Sequence, residues 1–273
     1  MAERSETRRY RTLFLSDFHL GARGCQADMI LDLLRRLDAD RIYLVGDIID
    51  GWQLRSAWYW PQSHNDVVQK LLRKVRRGAR MTWVPGNHDE FARQFVGMTF
   101  GGVEIERNAI HTAADGKRYL VMHGDEFDVV IRHSKWLAYL GDHAYDFAIW
   151  ANRRLNAARR RLGLPYWSFS AWAKLKVKNA VNFIGSFETE LAAEARRRGV
   201  DGIVCGHIHH PIIRDISGVT YVNTGDFVES CSFAVELDDG RLEVMRWPAL
   251  LPLDEPSEAL PPAHEAPALD EVA

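Results

Sequence analysis

Thr12-Leu13-Phe14-Leu15-Ser16-Asp17-Phe18-His19 sets an acid and an imidazole just past the end of a short apolar run. The arrangement recurs. Ile42-Tyr43-Leu44-Val45 runs into Gly46-Asp47, and Met81-Thr82-Trp83-Val84 into Gly86-Asn87-His88-Asp89. Tyr119-Leu120-Val121-Met122 leads to His123-Gly124-Asp125, and Ile203-Val204-Cys205 to Gly206-His207-Ile208-His209. Runs of this length, rich in β-branched and aromatic residues, read as buried strands. The stretches from Ala27 to Leu37 and from Asn65 to Arg77 repeat apolar residues every three or four positions, so they read as helices between the first three strands. Alternating strand and helix predicts βαβ units with parallel strands. In such sheets ligands bind beyond the carboxyl ends of the strands, and all five polar patches fall there.

The patches supply Asp17, His19, Asp47, Asn87, His123, His207 and His209. Carboxylate, amide and imidazole donors without thiolate suit Mn, Fe or Zn better than Ca or Mg. Two ions need roughly eight to ten ligand positions including waters, so seven side chains suffice if one carboxylate, Asp47, bridges. Two cations so placed would polarise a phosphoryl oxygen and activate a water for attack on phosphorus. His88 is spare in this count and suits protonation of a leaving oxygen or a bond to the phosphoryl group. Asp89 is then expected to orient the His88 ring. Taken singly, patches such as Asp17-Phe18-His19 are more often solvated turns than ligand pairs. Their joint placement after five apolar runs is what favours the metal site.

The order and spacing of these patches resemble the calcineurin-like metallophosphoesterase superfamily over roughly residues 11–247. The resemblance implies a four-layer α/β/β/α metallophosphoesterase sandwich, an α/β fold. By motif position one ion would lie among Asp17, His19, Asp47 and His209, the other among Asp47, Asn87, His123 and His207.

At 273 residues and 47% hydrophobic content the chain can bury one large core. Cys25, Cys205 and Cys231 are odd in number and unpatterned, which argues against a disulfide framework or a zinc knuckle. Met1 to Arg11 is polar, so no secretory signal is expected, and no apolar run reaches the length of a spanning helix. Neither an internal repeat nor a nucleic-acid motif is present.

Charge is uneven. Residues 131–200 carry 13 Lys and Arg against 5 Asp and Glu, a balance of +8, while the remainder carries 22 against 32, or −10. This segment reads as helices from about His133 to Arg161 and from Phe169 to Arg198, broken at Gly163-Leu164-Pro165, and is expected to form a helical cap insertion over the metal edge. Its aromatic residues beside a basic face fit either an amphipathic surface resting on anionic membrane or a hairpin burying its own apolar stripes. An acyl-chain groove would draw on Trp136, Trp150, Arg153 and Trp172.

Within the superfamily the chain looks like the UDP-2,3-diacylglucosamine pyrophosphatase (hydrolase) branch. Ser16-Asp17-Phe18-His19-Leu20-Gly21, Gly46-Asp47-Ile48-Ile49-Asp50, His123-Gly124-Asp125 and Gly206-His207-Ile208-His209-His210-Pro211 carry that resemblance. It implies hydrolysis of UDP-2,3-diacylglucosamine to UMP and 2,3-diacylglucosamine 1-phosphate in lipid A synthesis, commonly with Mn, by a peripheral protein on the cytoplasmic face of the inner membrane. The lipid A enzymes usually have Arg where this chain has His88, and His is the superfamily norm. Action on another phosphodiester, phosphomonoester or phospholipid is therefore an alternative, and a non-catalytic membrane-associated scaffold is another.

Trp52, Trp58, Tyr59 and Trp60 follow the second strand and could either stack a nucleobase or lipid tail or pack on their own domain. Arg23 and Arg55 could pair with a phosphate or simply solvate their loops. His64, His111, His133, His143, His210 and His264 are expected at surface or structural positions. Val219 to Asn223, Ser232 to Leu237 and Leu242 to Trp247 read as strands completing a second sheet, with a hairpin turn at Asp238-Asp239-Gly240. The stretch 249–273 has five prolines, six acids and no Lys or Arg, the composition of a disordered tail.

Overall fold

Leu13 and Leu15 face one side of their strand and Phe14 the other, and this alternation puts a core on each face of the sheet. The computed structural model describes residues 7–127, 184–185 and 187–247. Strand β1 (Arg8–Leu15) runs parallel to β2 (Leu37–Val45), and β2 parallel to β3 (Arg80–Val84). Helix α1 (Ala27–Arg36) follows β1, and the short α2 (Gly51–Ser56) and longer α3 (Gln62–Arg76) follow β2. In α1 the buried residues Ala27, Ile30, Leu31, Leu33 and Leu34 form one stripe, and Arg35 and Arg36 sit where the helix dipole favours cations. In α3 the buried positions are His64, Val67, Leu71 and Lys74, again three or four apart.

Two sheets result. The first continues through β4 (Thr99–Phe100) and β5 (Val103–Ile105), and on its other side through β11 (Ser232–Glu236) and β12 (Leu242–Arg246), in the order β12-β11-β1-β2-β3-β5-β4. The second contains β6 (Ala109–Thr112), β7 (Arg118–Val121), β8 (Gly202–Cys205), β9 (Ile212–Ile216) and β10 (Val219–Asn223), in the order β6-β7-β8-β10-β9. Phe14, Tyr43, Val45 and Val84 of the first sheet meet Tyr119, Val121, Val204 and Val222 of the second, and Phe14 stacks on Tyr43 at 5.2 Å between centroids. Leu13, Leu15, Ile42 and Leu44 pack outward against α1 and α3. Leu120, Ile203 and Tyr221 pack outward against Phe187, Leu191 and Ala195 of α4, the helix over residues 187–197. Helix, sheet, sheet and helix are the four layers the sequence led us to expect.

Two expectations change. The C-terminal strands β11 and β12 join the first sheet, not the second, and only β10 completes the second. β11 runs antiparallel along the outer edge of β1, with Thr12 opposite Glu236, and this register places the Glu236 carboxylate among donors from both sheets. Residues 187–197, grouped by charge with the insertion, form the outer layer of the core because Phe187, Leu191, Ala192 and Ala195 share one face. The remainder of the expected cap, Trp136, Trp150, Arg153 and Trp172 included, and the C-terminal tail lie outside the described residues.

Candidate metal centre

The carboxyl ends of β1, β2 and β3 in one sheet and of β7 and β8 in the other converge on one rim. Past the strand ends the first two loops remain paired: His19 N–H donates to the Asp47 carbonyl at 2.9 Å, and Asp50 N–H to the Leu20 carbonyl at 2.8 Å. Asp17, His19, Asp47, His207 and His209 all hold left-handed backbone, with φ of 52°, 51°, 53°, 71° and 53°. Such a conformation costs a non-glycine residue on the order of 1–3 kcal/mol, so the surrounding bonds must enforce it. Gly86 and Gly206 are required for another reason. A Cβ on Gly86 would strike Asp47 and His123, and one on Gly206 would strike Asp17 and Ser16.

Each rim carboxylate spends one oxygen on a backbone donor and keeps the other for the imidazoles. Asp17 Oδ2 accepts from His207 N–H at 3.1 Å, while its Oδ1 lies 3.1 Å from His209 Nε2 and 4.0 Å from His19 Nε2. Asp47 Oδ1 accepts from His88 N–H at 2.8 Å, while its Oδ2 lies 3.2 Å from His123 Nε2 and 3.9 Å from His19 Nε2. His123 Nδ1 donates to the Val45 carbonyl at 2.9 Å, which leaves Nε2 as the free lone pair. Donor atoms of Asp17, His19 and His209 lie within 4.8 Å of one another, as do those of Asp47, His123 and His207, and those of His19, Asp47 and His88.

A divalent ion fits this donor set. Asp17 Oδ1, His19 Nε2, Asn87 Oδ1 and His123 Nε2 are all buried without a hydrogen-bond partner, an arrangement that is costly unless something positive sits among them. Burial disfavours charge on Asp47 and His123, yet their mutual attraction overrides it, holding the Asp47 carboxyl well below its ordinary range and raising His123; the positive charge that Asp47 draws to His123 Nε2 as a proton is the one a metal ion there would supply instead. Burial likewise opposes charge on Asp17, and the neighbouring His209 and His123 imidazoles together outweigh that, lowering the carboxyl.

His88 stands on the same rim. Its Nδ1 lies 3.1 Å from Asp50 Oδ1, and the other oxygen of Asp50 lies 3.1 Å from His19 Nδ1. The expectation that Asp89 orients His88 is corrected. The Asp89 carboxylate turns under β2, accepting from the N–H groups of Asp47, Ile48 and Gly86 and from Trp83 Nε1. Burial and then Asp47 push its pKa up to about 6, against the pull of His123 and those backbone donors. The acid facing His88 is Asp50, for which the sequence offered only its place in Gly-Asp-x-x-Asp. A second feature went unread: Arg93 donates to both oxygens of Asp125 at 2.7 and 2.8 Å and to the Pro85 carbonyl at 3.3 Å, tying the Asn87 loop to the His123 loop.

Trp52 lies over the His88 ring with centroids 4.1 Å apart. Arg23 stacks on Tyr59 at 4.7 Å, and Arg55 is exposed on α2. Tyr59 and Trp60 meet His64 edge-on, and Trp58 is 78% exposed. His64 is structural, its Nδ1 accepting from Gly21 N–H at 3.0 Å.

The family model for the calcineurin-like phosphoesterases matches residues 10–211, which span all five patches. The chain belongs to this family. The phosphoesterase is similar to proteins named UDP-2,3-diacylglucosamine hydrolase: one from Xanthomonas campestris pv. campestris at 29% identity, covering 85% of this chain and 98% of the relative; one from Chromohalobacter salexigens at 25%, covering 76% and 82%; and one from Aeromonas salmonicida at 25%, covering 88% and 96%. YfcE, a phosphoesterase from E. coli of solved structure, aligns with a TM-score of 0.39 at 14% identity over 86% of this chain and 97% of that one. The phosphoesterase is a metal-dependent hydrolase of phosphoric esters or anhydrides.

Proposed function

We propose that the enzyme cleaves the phosphoanhydride of UDP-2,3-diacylglucosamine, giving UMP and 2,3-diacylglucosamine 1-phosphate, with two divalent ions, manganese foremost and iron or zinc as the other candidates. The observation that carries this reading is the set of buried, partnerless donors on one rim, in a chain similar over most of its length to hydrolases named for that substrate. One ion would be held by Asp17, His19, Asp47 and His209 and the other by Asp47, Asn87, His123 and His207. When bound, the ions supply Lewis-acid polarisation of the phosphoryl group and an activated water.

The chain's own groups do the rest. Backbone N–H donors from His88 and His207 fix the two carboxylates, so ordering them costs nothing at the moment of reaction. Asp50 at His88 Nδ1 leaves Nε2 as the atom that hands a proton to the departing oxygen of the sugar phosphate. Trp52 packs over one side of that ring.

His88 in place of the branch's usual Arg supports a second reading, hydrolysis of another phosphodiester or of a phosphomonoester by the same machinery. Supplying manganese and assaying UDP-2,3-diacylglucosamine, other UDP-sugars, bis-p-nitrophenyl phosphate and p-nitrophenyl phosphate separates the two. UMP released from the acylated substrate at a kcat/KM well above the rest is expected, and a preference for a simple diester would replace the first reading with the second.

Among the described residues no helix is long and apolar enough to cross a membrane. For an acylated substrate we place the enzyme at the cytoplasmic face of the inner membrane, held there on anionic lipid by the basic, aromatic stretch that precedes α4. Neutralising Arg159, Arg160 and Arg161 should weaken binding to anionic vesicles at low salt, and unchanged binding would remove that placement.

A further inference from the structure

We propose that the end of the sandwich opposite the metal rim holds a second anion site, built for a small phosphate group by Arg11, Arg41 and Arg80. In β-sheet register Thr12 lies beside Arg41 and Arg41 beside Arg80, so these three form one row across β1, β2 and β3. Phe14 and Tyr43, the next residues on the same face, point between the sheets, which fixes the row as facing β6 of the second sheet. A cavity of about 260 Å³ opens there, lined by the row together with Arg11, Asp40 and His111.

The charges of this cavity are unbalanced. Neighbouring strands bring Arg41 and Arg80 side by side, an arrangement that like charges disfavour, and among the described residues neither forms an ion pair. Arg41 donates only to the Tyr43 hydroxyl at 3.0 Å. The nearby acids are already engaged. Asp40 pairs with Arg9, and the fully buried Glu236 accepts from Thr12 Oγ1 at 2.6 Å, His111 Nε2 at 2.9 Å and Ala114 N–H at 2.8 Å while pairing with Arg11 at 2.9 Å. Two guanidinium groups with no acidic partner among the described residues, side by side on one cavity wall, match a phosphate, whose oxygens each accept more than one donor. Thr12 stands five residues before Asp17, about 16 Å at the rise of a strand, so this site is separate from the rim.

Calorimetric titration of the full, manganese-loaded chain with orthophosphate, and separately with ribose 5-phosphate, tests the site in wild type and in Arg41→Gln/Arg80→Gln. Wild type should bind one equivalent more than the double variant, while turnover of bis-p-nitrophenyl phosphate is the same in both. Arg80→Gln alone, at an exposed position that folding tolerates, should weaken that equivalent at least tenfold. Tighter binding of ribose 5-phosphate than of orthophosphate identifies a phosphomonoester as the ligand, and the reverse order identifies the free ion. Equal stoichiometry and affinity in wild type and Arg80→Gln for both ligands would overturn the proposal.

Discussion

The Asp50 carboxylate lies 3.1 Å from His88 Nδ1, and with its other oxygen it stands the same distance from His19 Nδ1. One acid thus sets the rings of a metal-ligand candidate and of the proton-donor candidate together. Its pKa reflects that duty: burial opposes the charge, but the bonds to His19, His88 and Gln53 N–H hold the carboxyl far below its ordinary range. Asp50→Ala should therefore lower both manganese affinity and kcat, each by about 10–100-fold. Equilibrium dialysis and steady-state kinetics on the folded variant check this. Normal metal content with normal turnover would reduce Asp50 to the N-cap of α2.

His88 and Asp47 should respond differently. His88→Ala should reduce kcat by about 10²–10⁴-fold while bound manganese stays near wild type. Asp47→Ala removes the carboxylate proposed to bridge, so metal-dependent hydrolysis should vanish and the metal stoichiometry should fall. Elemental analysis alongside the rates distinguishes them. Because His88 shares a cluster with His19 and Asp47, loss of metal in His88→Ala would make it a ligand.

Arg93 and Asp125 join two loops that carry rim residues, and Asp125 is largely buried, its side chain 12% exposed. Arg93→Ala strands that carboxylate and frees the Pro85 carbonyl, which should cost about 1–2 kcal/mol, a Tm lower by about 2–8 °C. If the clamp positions the rim, KM for manganese should rise as well, and Arg93→Lys should restore only part of it because its ammonium sits on a shorter stem than the Nη2 that reaches both Asp125 and the Pro85 carbonyl. A stability loss with unchanged metal dependence would confine the pair to a structural role.

Glu236 makes a pH-dependent contribution to stability. Burial raises its pKa, but the bonds from His111, Thr12 and Ala114 N–H outweigh burial and bring it below the ordinary 4.5. A carboxyl depressed on folding stabilises the native state above its unfolded pKa, and that stabilisation is lost as pH falls through the folded value. Glu236→Gln should thus be less stable than wild type at pH 7 by about 1.5–3 kcal/mol, with the gap closing below about pH 4. Urea unfolding at both pH values measures it, and a gap independent of pH would show that the charge is irrelevant.

Much of this was legible in the sequence because strand runs and their polar ends obey local rules. Leu13 to Leu15 and Ile42 to Val45 are apolar on both faces, as strands buried in a layered sandwich must be. What stayed hidden depends on pairing between distant segments. Ser232 to Glu236 is buried throughout, as an interior strand of either sheet would be, and nothing in it says that its partner is β1 instead of β10. Asp89 and Asp50 are both acids near His88 in space or sequence, and adjacency in the chain favoured the wrong one: the turn that exposes Asn87 and His88 sends Asp89 inward toward Trp83. The Arg41 and Arg80 row is invisible until the register of β2 and β3 is known.

Five of the seven rim donors stand on left-handed backbone, and Gly86 and Gly206 are pressed so close to them that no methyl fits. The main chain therefore acts as a mould whose shape survives changes in what projects from it. Swapping one acid or imidazole for a neighbour of similar size can retune which ion is preferred without recasting the loop, whereas a single added carbon at either glycine spoils the casting for every ligand at once.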